Sequence, residues 1–157
     1  MSRLSDLTSQ LLDAAKKAGA DAADAIATDG VSQSIDVLGG KLEHAERSEG
    51  VEIGLRVLTG QRQACVSASD TKPETIAEMA ERAVAMAKIA PQDPHIGLAD
   101  PSQITGDTSA SDLALVEDAP EPSPADLEDR ALRAEAAALA VEGVSKADSA
   151  SAGHSRT

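Results

Sequence analysis

Val51-Glu52-Ile53-Gly54-Leu55-Arg56-Val57 sets an aliphatic residue at every second position, with Glu52, Gly54 and Arg56 between. That two-residue period predicts a half-buried β-strand with Val51, Ile53, Leu55 and Val57 on its core face. A slip of one residue would turn all four to the opposite face, so the pattern also fixes the register. Working backwards, Ile35 and Val37 alternate with Ser34 and Asp36 in the same way. Turn signals stand at Asp29-Gly30, Gly39-Gly40, Ser48-Glu49-Gly50 and Thr59-Gly60, each separating runs of strand length. The expected path is an antiparallel meander of about five strands: Ala22 to Thr28, Val31 to Leu38, Lys41 to Ser48, Val51 to Leu58 and Arg62 to Ser69.

Helical periods flank the meander, which makes the fold class α+β. Leu4, Leu7, Leu11, Ala14 or Ala15 and Ala18 recur at three- and four-residue steps before Gly19, predicting a helix over Leu4 to Ala18. Thr71, with Glu74 three residues on and Pro73 between, predicts a capping box opening a second helix. Its stripe of Ile76, Met79, Ala80, Ala83, Ala87 and Ala90 would lie on the sheet. Residues 1–90 thus read as an α+β core. Residues 91–123 are a connection rich in Pro, Asp and Ser, broken only by Leu113, Ala114, Leu115 and Val116. Residues 124–157 read as a helix from Ser123-Pro124 to about Glu142, closed by Gly143, then an incipient strand over Val144 to Ala152. No neighbour for that strand is evident in the sequence, so it is expected to fray or to pair with another copy.

Composition excludes several functions. The 157 residues carry a formal charge of −13, which disfavours nucleic-acid backbones and anionic membranes. There is no Phe, Trp or Tyr, so bases, sugar rings and ammonium ligands find no stacking platform. With 31 Ala among the apolar residues, any core has to be built from small side chains. A single cysteine, Cys65, and the lack of an apolar run long enough to span a bilayer point to a soluble, reducing compartment, the cytoplasm.

Catalytic patterns are scarce. His44, His95 and His154 are far apart, and no His-Glu-x-x-His, Gly-x-Ser-x-Gly or phosphate-binding glycine loop occurs. Cys65 alternates with Ala64 and Val66 and reads as a small strand residue. Glu117 and Asp118 are adjacent carboxylates in a polar connection, where water would keep both near their ordinary pKa. Ser67, Ser69 and Asp70, at the strand-to-helix corner, are the candidate contacts for a small anion or a peptide carboxylate.

The order of motifs carries a resemblance. Gly19-Ala20-Asp21-Ala22-Ala23, Gly39-Gly40-Lys41-Leu42-Glu43, Gly50 to Val57 and Ser67-Ala68-Ser69-Asp70 together resemble the N-terminal region of the TldD/PmbA family. Pro91-Gln92-Asp93-Pro94-His95-Ile96-Gly97-Leu98-Ala99-Asp100 is closer to the PmbA branch, also called TldE, and Glu135 to Val144 is similar to that family's helix-to-strand passage. The resemblance implies an N-terminal stretch of a longer subunit in a cytosolic, two-part metallopeptidase that acts on unstructured or modified precursor peptides. It implies zinc only in a TldD-type partner subunit, with no zinc ligand or catalytic glutamate in this chain. The expected role is therefore non-catalytic and architectural, with a TldD-type partner, self-association, or both. The rival expectation, from the family's other description as modulator of DNA gyrase, is an acidic module that mimics nucleic acid before a basic partner.

Overall fold

The computed structural model describes residues 3–106, 113–115 and 119–157. Glu117, Asp118 and Val116 lie outside them. The elements run α1 (Arg3–Ala18), β1 (Ala22–Leu38), β2 (Lys41–Thr59), β3 (Arg62–Ala68), α2 (Pro73–Ile89), α3 (Pro124–Leu139) and β4 (Ala150–Arg156). The four strands form one antiparallel sheet in the order β3-β2-β1-β4. This is an α+β fold, with four strands among the described residues in place of the expected five.

The difference lies in which glycines turn the chain. Gly39 and Gly40 take φ of 60° and 73°, the left-handed pair that a tight two-residue hairpin requires. Gly30 and Gly50 do not enter that region, so β1 and β2 run straight through both expected turns. At Gly30 a Cβ would meet the carbonyl oxygen of Arg156 at 3.3 Å, so the missing side chain admits a neighbouring strand.

The chain divides into two compact units that interleave along the sequence. Met1–Asp29 with Gly50–Leu113 form the first, and Gly30–Glu49 with Ala114–Thr157 form the second. In the first unit, Ile53, Leu55 and Val57 of β2 and Ala64 of β3 are buried beneath Leu7, Leu11 and Ala15 of α1 and Ile76, Met79, Ala80, Ala83, Val84 and Ala87 of α2. Val51 packs against this cluster while Glu52 is exposed, the face assignment expected from the alternation. Alanine lets helix and sheet approach closely, so dense packing is reached without aromatic volume. Burying each of the larger aliphatic side chains contributes about 1.5–3 kcal/mol.

The start of α2 departs from expectation. Lys72 is the N-cap, with no side-chain cap bond, and Pro73 begins the helix, so the Thr71–Glu74 capping box does not form. Pro73 holds the residue before it extended, which moves the helix start past Thr71. Asp70 takes over part of the role, accepting from the Lys72 amide at 3.2 Å and the Thr75 hydroxyl at 2.9 Å.

The second unit has a smaller core of Ile35 and Val37 with Leu127 and Ala131, joined by Leu132, Ala150 and Ala152. A capping box between Ser123 and Asp126 opens α3, which ends at Leu139, three residues before the expected Glu142. The terminal strand is also shifted. It spans Ala150–Arg156 instead of Val144 to Ala152, and it pairs with β1 from Val31↔Arg156 to Val37↔Ala150. The expectation that it lacks a neighbour within the chain is thereby corrected. Its hold comes from the backbone ladder, with Gly153 admitting the Gln33 carbonyl close by, at 3.2 Å from where a Cβ would stand.

Candidate functional site

Alternation that sends Ile53, Leu55 and Val57 to the helices sends Gly54 and Arg56 to the opposite face of the first unit's sheet. Arg56 stands opposite Cys65 and Gly54 opposite Ser67 across the β2–β3 ladder. Asp24 and Ile26 of β1 complete a shallow groove of about 550 Å³. Ile26 is 62% exposed, and its Cγ2 would lie 2.9 Å from a Cβ built on Gly54. Gly54 is therefore a glycine of close approach, and any larger residue there would have to displace Ile26.

The groove's charges cancel locally. Arg56 grips Asp24 with two parallel bonds, Nε to Oδ1 at 3.0 Å and Nη2 to Oδ2, and its Nη1 reaches Gln63 Oε1 at 3.4 Å. The Arg56 bond holds the Asp24 carboxyl below the usual carboxylate range and in turn raises Arg56. Because the folded carboxyl releases its proton more readily than the unfolded one, this contribution is present above about pH 3.9 and is lost as pH falls through the depressed value. Both side chains are substantially exposed, so the contribution is modest. What remains for a ligand is the apolar body of Ile26, the exposed Cys65 thiol and the Ser67 hydroxyl. That set suits contact with an uncharged, extended surface.

The three contacts expected from sequence are only partly brought together. Ser67 lines the groove, whereas Ser69 and Asp70 are exposed at the bend before α2. Asp70 is engaged by Thr75 and Lys72, and these bonds hold it below the ordinary carboxylate range. The Lys72 amide and the Thr75 hydroxyl at this corner already face the protein's own carboxylate, with which any incoming anion would have to compete.

The histidines do not converge. His44 is on β2, His154 on β4 opposite Gln33, and His95 is in a loop where its amide donates to Asp93. Among the described residues no group of three His, Cys, Asp or Glu side chains is placed to hold a metal ion. A polar cluster not foreseen from sequence lies in the second unit. There Glu121 accepts from Gln33 and from Arg47 at 2.8 Å, bonds that lower its pKa.

Residues 23–87, which run from β1 through β3 and almost to the end of α2, match the family model described as PmbA/TldA metallopeptidase domain 1. That likeness is to a PmbA/TldD-type first domain and takes in less than half of the chain. Solved structures extend the likeness in fold to nearly the whole chain. TldE from Thermococcus kodakarensis matches with a TM-score of 0.66 and 18% identity over 95% of this chain and 33% of its own. A candidate modulator of DNA gyrase from Bacteroides thetaiotaomicron matches at 0.68 and 15% identity, over 96% of this chain and 34% of its own. Another from Thermotoga maritima matches at 0.56 and 15%, over 96% and 33%. The chain thus spans about a third of the length of these proteins. No curated protein matches it significantly.

Proposed function

We propose that the chain is a non-catalytic N-terminal domain of a PmbA/TldE-type subunit, shaping a subunit interface and the approach to a peptidase centre built elsewhere in a cytoplasmic TldD/PmbA complex. The observation that carries this reading is the match of residues 23–87 to a metallopeptidase first domain, on a fold shared with TldE. The substrates would be unstructured or modified precursor peptides, and the zinc would belong to the TldD-type partner. In such a role the domain contributes shape and apolar contact, for which the locally neutral groove of Ile26, Gly54 and Ser67 is suited.

A second reading, an acidic modulator of DNA gyrase, draws on the −13 charge and on the descriptions of the two bacterial structures. Ionic strength separates the two. Titration of the chain into a TldD-type subunit is expected to give a dissociation constant that changes less than about threefold between about 50 and 500 mM NaCl, since apolar contact is not screened. Absence of binding to that subunit, together with a gyrase complex weakening more than about tenfold over the same range, would overturn the subunit reading.

A further inference from the structure

The first half of β2 is a strand with one side open. β3 pairs with β2 only from Ile53 to Thr59, so along Lys41–Glu49 the side away from β1 carries no strand among the described residues. Every residue from Lys41 to Glu49 is exposed. Such an edge is a template for another strand unless its side chains forbid pairing.

Here the charges select one partner. Two copies of a strand related by a two-fold axis pair antiparallel about a central residue, and opposing residues share a face of the joined sheet. With Ala45 opposite Ala45, Lys41 meets Glu49, Glu43 meets Arg47 and His44 meets Glu46. The two-fold repeats each contact, so every charged side chain from Lys41 to Glu49 faces an opposite charge or a histidine. Neighbouring registers fail. Centring on His44 sets Lys41 against Arg47, and centring on Glu46 sets Glu43 against Glu49 and Glu46 against itself. Centring on Glu43 or Arg47 places two like charges on the axis. Centring on Ser48 drives the incoming strand past Ile53, where β3 already pairs. Like charges directly opposite are destabilising and opposite charges favourable, so one register stands apart from the rest.

Within the chain this charge is only partly used. Arg47 pairs with Glu49 at 2.6 Å and Glu121 at 2.8 Å, and His44 lies 3.8 Å from Glu46. Lys41 and Glu43 have no ion-pair partner among the described residues. We infer that the Lys41–Glu49 edge of β2 is a self-recognition surface, on which a second copy of this chain adds its own β2 antiparallel about Ala45. This surface is separate from the groove of the first unit, and its failure would leave the subunit reading untouched.

Sedimentation of the chain up to about 500 µM in low salt tests the inference, with circular dichroism to verify that each variant is folded. The expected result is a reversible dimer that weakens at least tenfold, roughly, between about 50 and 500 mM NaCl. Lys41→Glu and Glu49→Lys each set like charges opposite at two symmetry-related places and should each weaken the dimer about tenfold or more. The double variant Lys41→Glu/Glu49→Lys restores the complement and should return to within about threefold of the parent. A parent chain that stays monomeric throughout, or a double variant no better than the singles, would overturn it.

Discussion

Ile53→Asp is expected to unfold the first unit or destabilise it by about 3–5 kcal/mol, while Glu52→Ala, one residue away, should change stability by about 0.5 kcal/mol or less. Ile53 is 1% exposed and sits in the cluster that α1 and α2 lay over the sheet. A carboxylate there would lose its water without gaining a partner, and the aliphatic contacts would be lost as well. Glu52 is on the other face of the same strand, exposed and without an ion pair among the described residues. Urea midpoints of the two variants measure the contrast. Similar shifts would mean that β2 is not held in this register.

Glu135→Ala should cost the second unit about 2–4 kcal/mol, more than any other substitution on the polar face of α3. Glu135 is 3% exposed although its side chain is polar, and it lies on a helix facing a turn. Its Oε1 accepts from the Gly39 amide at 2.7 Å and its Oε2 from the Gly40 amide at 2.8 Å. Each bond runs from a backbone N–H to a carboxyl oxygen, and the two together tie the β1–β2 hairpin to α3. The left-handed glycines present both amides on one side, so neither bond survives a shorter side chain. Asp129→Ala, which removes only an exposed pair with Arg133 four residues on, should stay within about 0.5 kcal/mol. Urea unfolding, with hydrogen exchange at the Gly39 and Gly40 amides, reads both. A Glu135→Ala variant as mild as Asp129→Ala would show that the contact does not hold the hairpin.

The parts legible in the sequence were those set by local period. Alternation from Val51 to Val57 marked the core face of β2, and helical spacing located α1 and α2, because both patterns follow directly from which side of an element is buried. Strand length was not legible. Asp29-Gly30 and Ser48-Glu49-Gly50 look like turns, but whether a glycine bends or stays extended depends on its neighbours, and at Gly30 the neighbour is a strand more than a hundred residues away in sequence. The same long separation hid the pairing of β4, whose small side chains carry almost no pattern. Glu135 read as part of an alanine-rich helix, since nothing local reveals that its carboxylate meets two amides.

The candidate groove had a partial signal. A glycine in the middle of a strong strand, Gly54, marks close approach of another group, and Ile26 is a large aliphatic side chain among alanines and aspartates. Joining the two requires the β1–β2 pairing. Ser67 belongs to both the corner and the groove. Ser69 and Asp70 stay at the corner, since the outward side of β3 ends where the chain bends towards α2.

A chain that supplies only shape and contact to a peptidase whose metal chemistry lies elsewhere should neither hold zinc nor cleave peptides by itself. Dialysis of the isolated chain against zinc, followed by metal analysis and digestion of an unfolded peptide with and without chelator, is the deciding measurement. The predicted result is less than about 0.1 zinc per chain and no cleavage, because His44, His95, His154 and Cys65 supply no converging set of three ligands among the described residues. One zinc per chain with chelator-sensitive cleavage would contradict it.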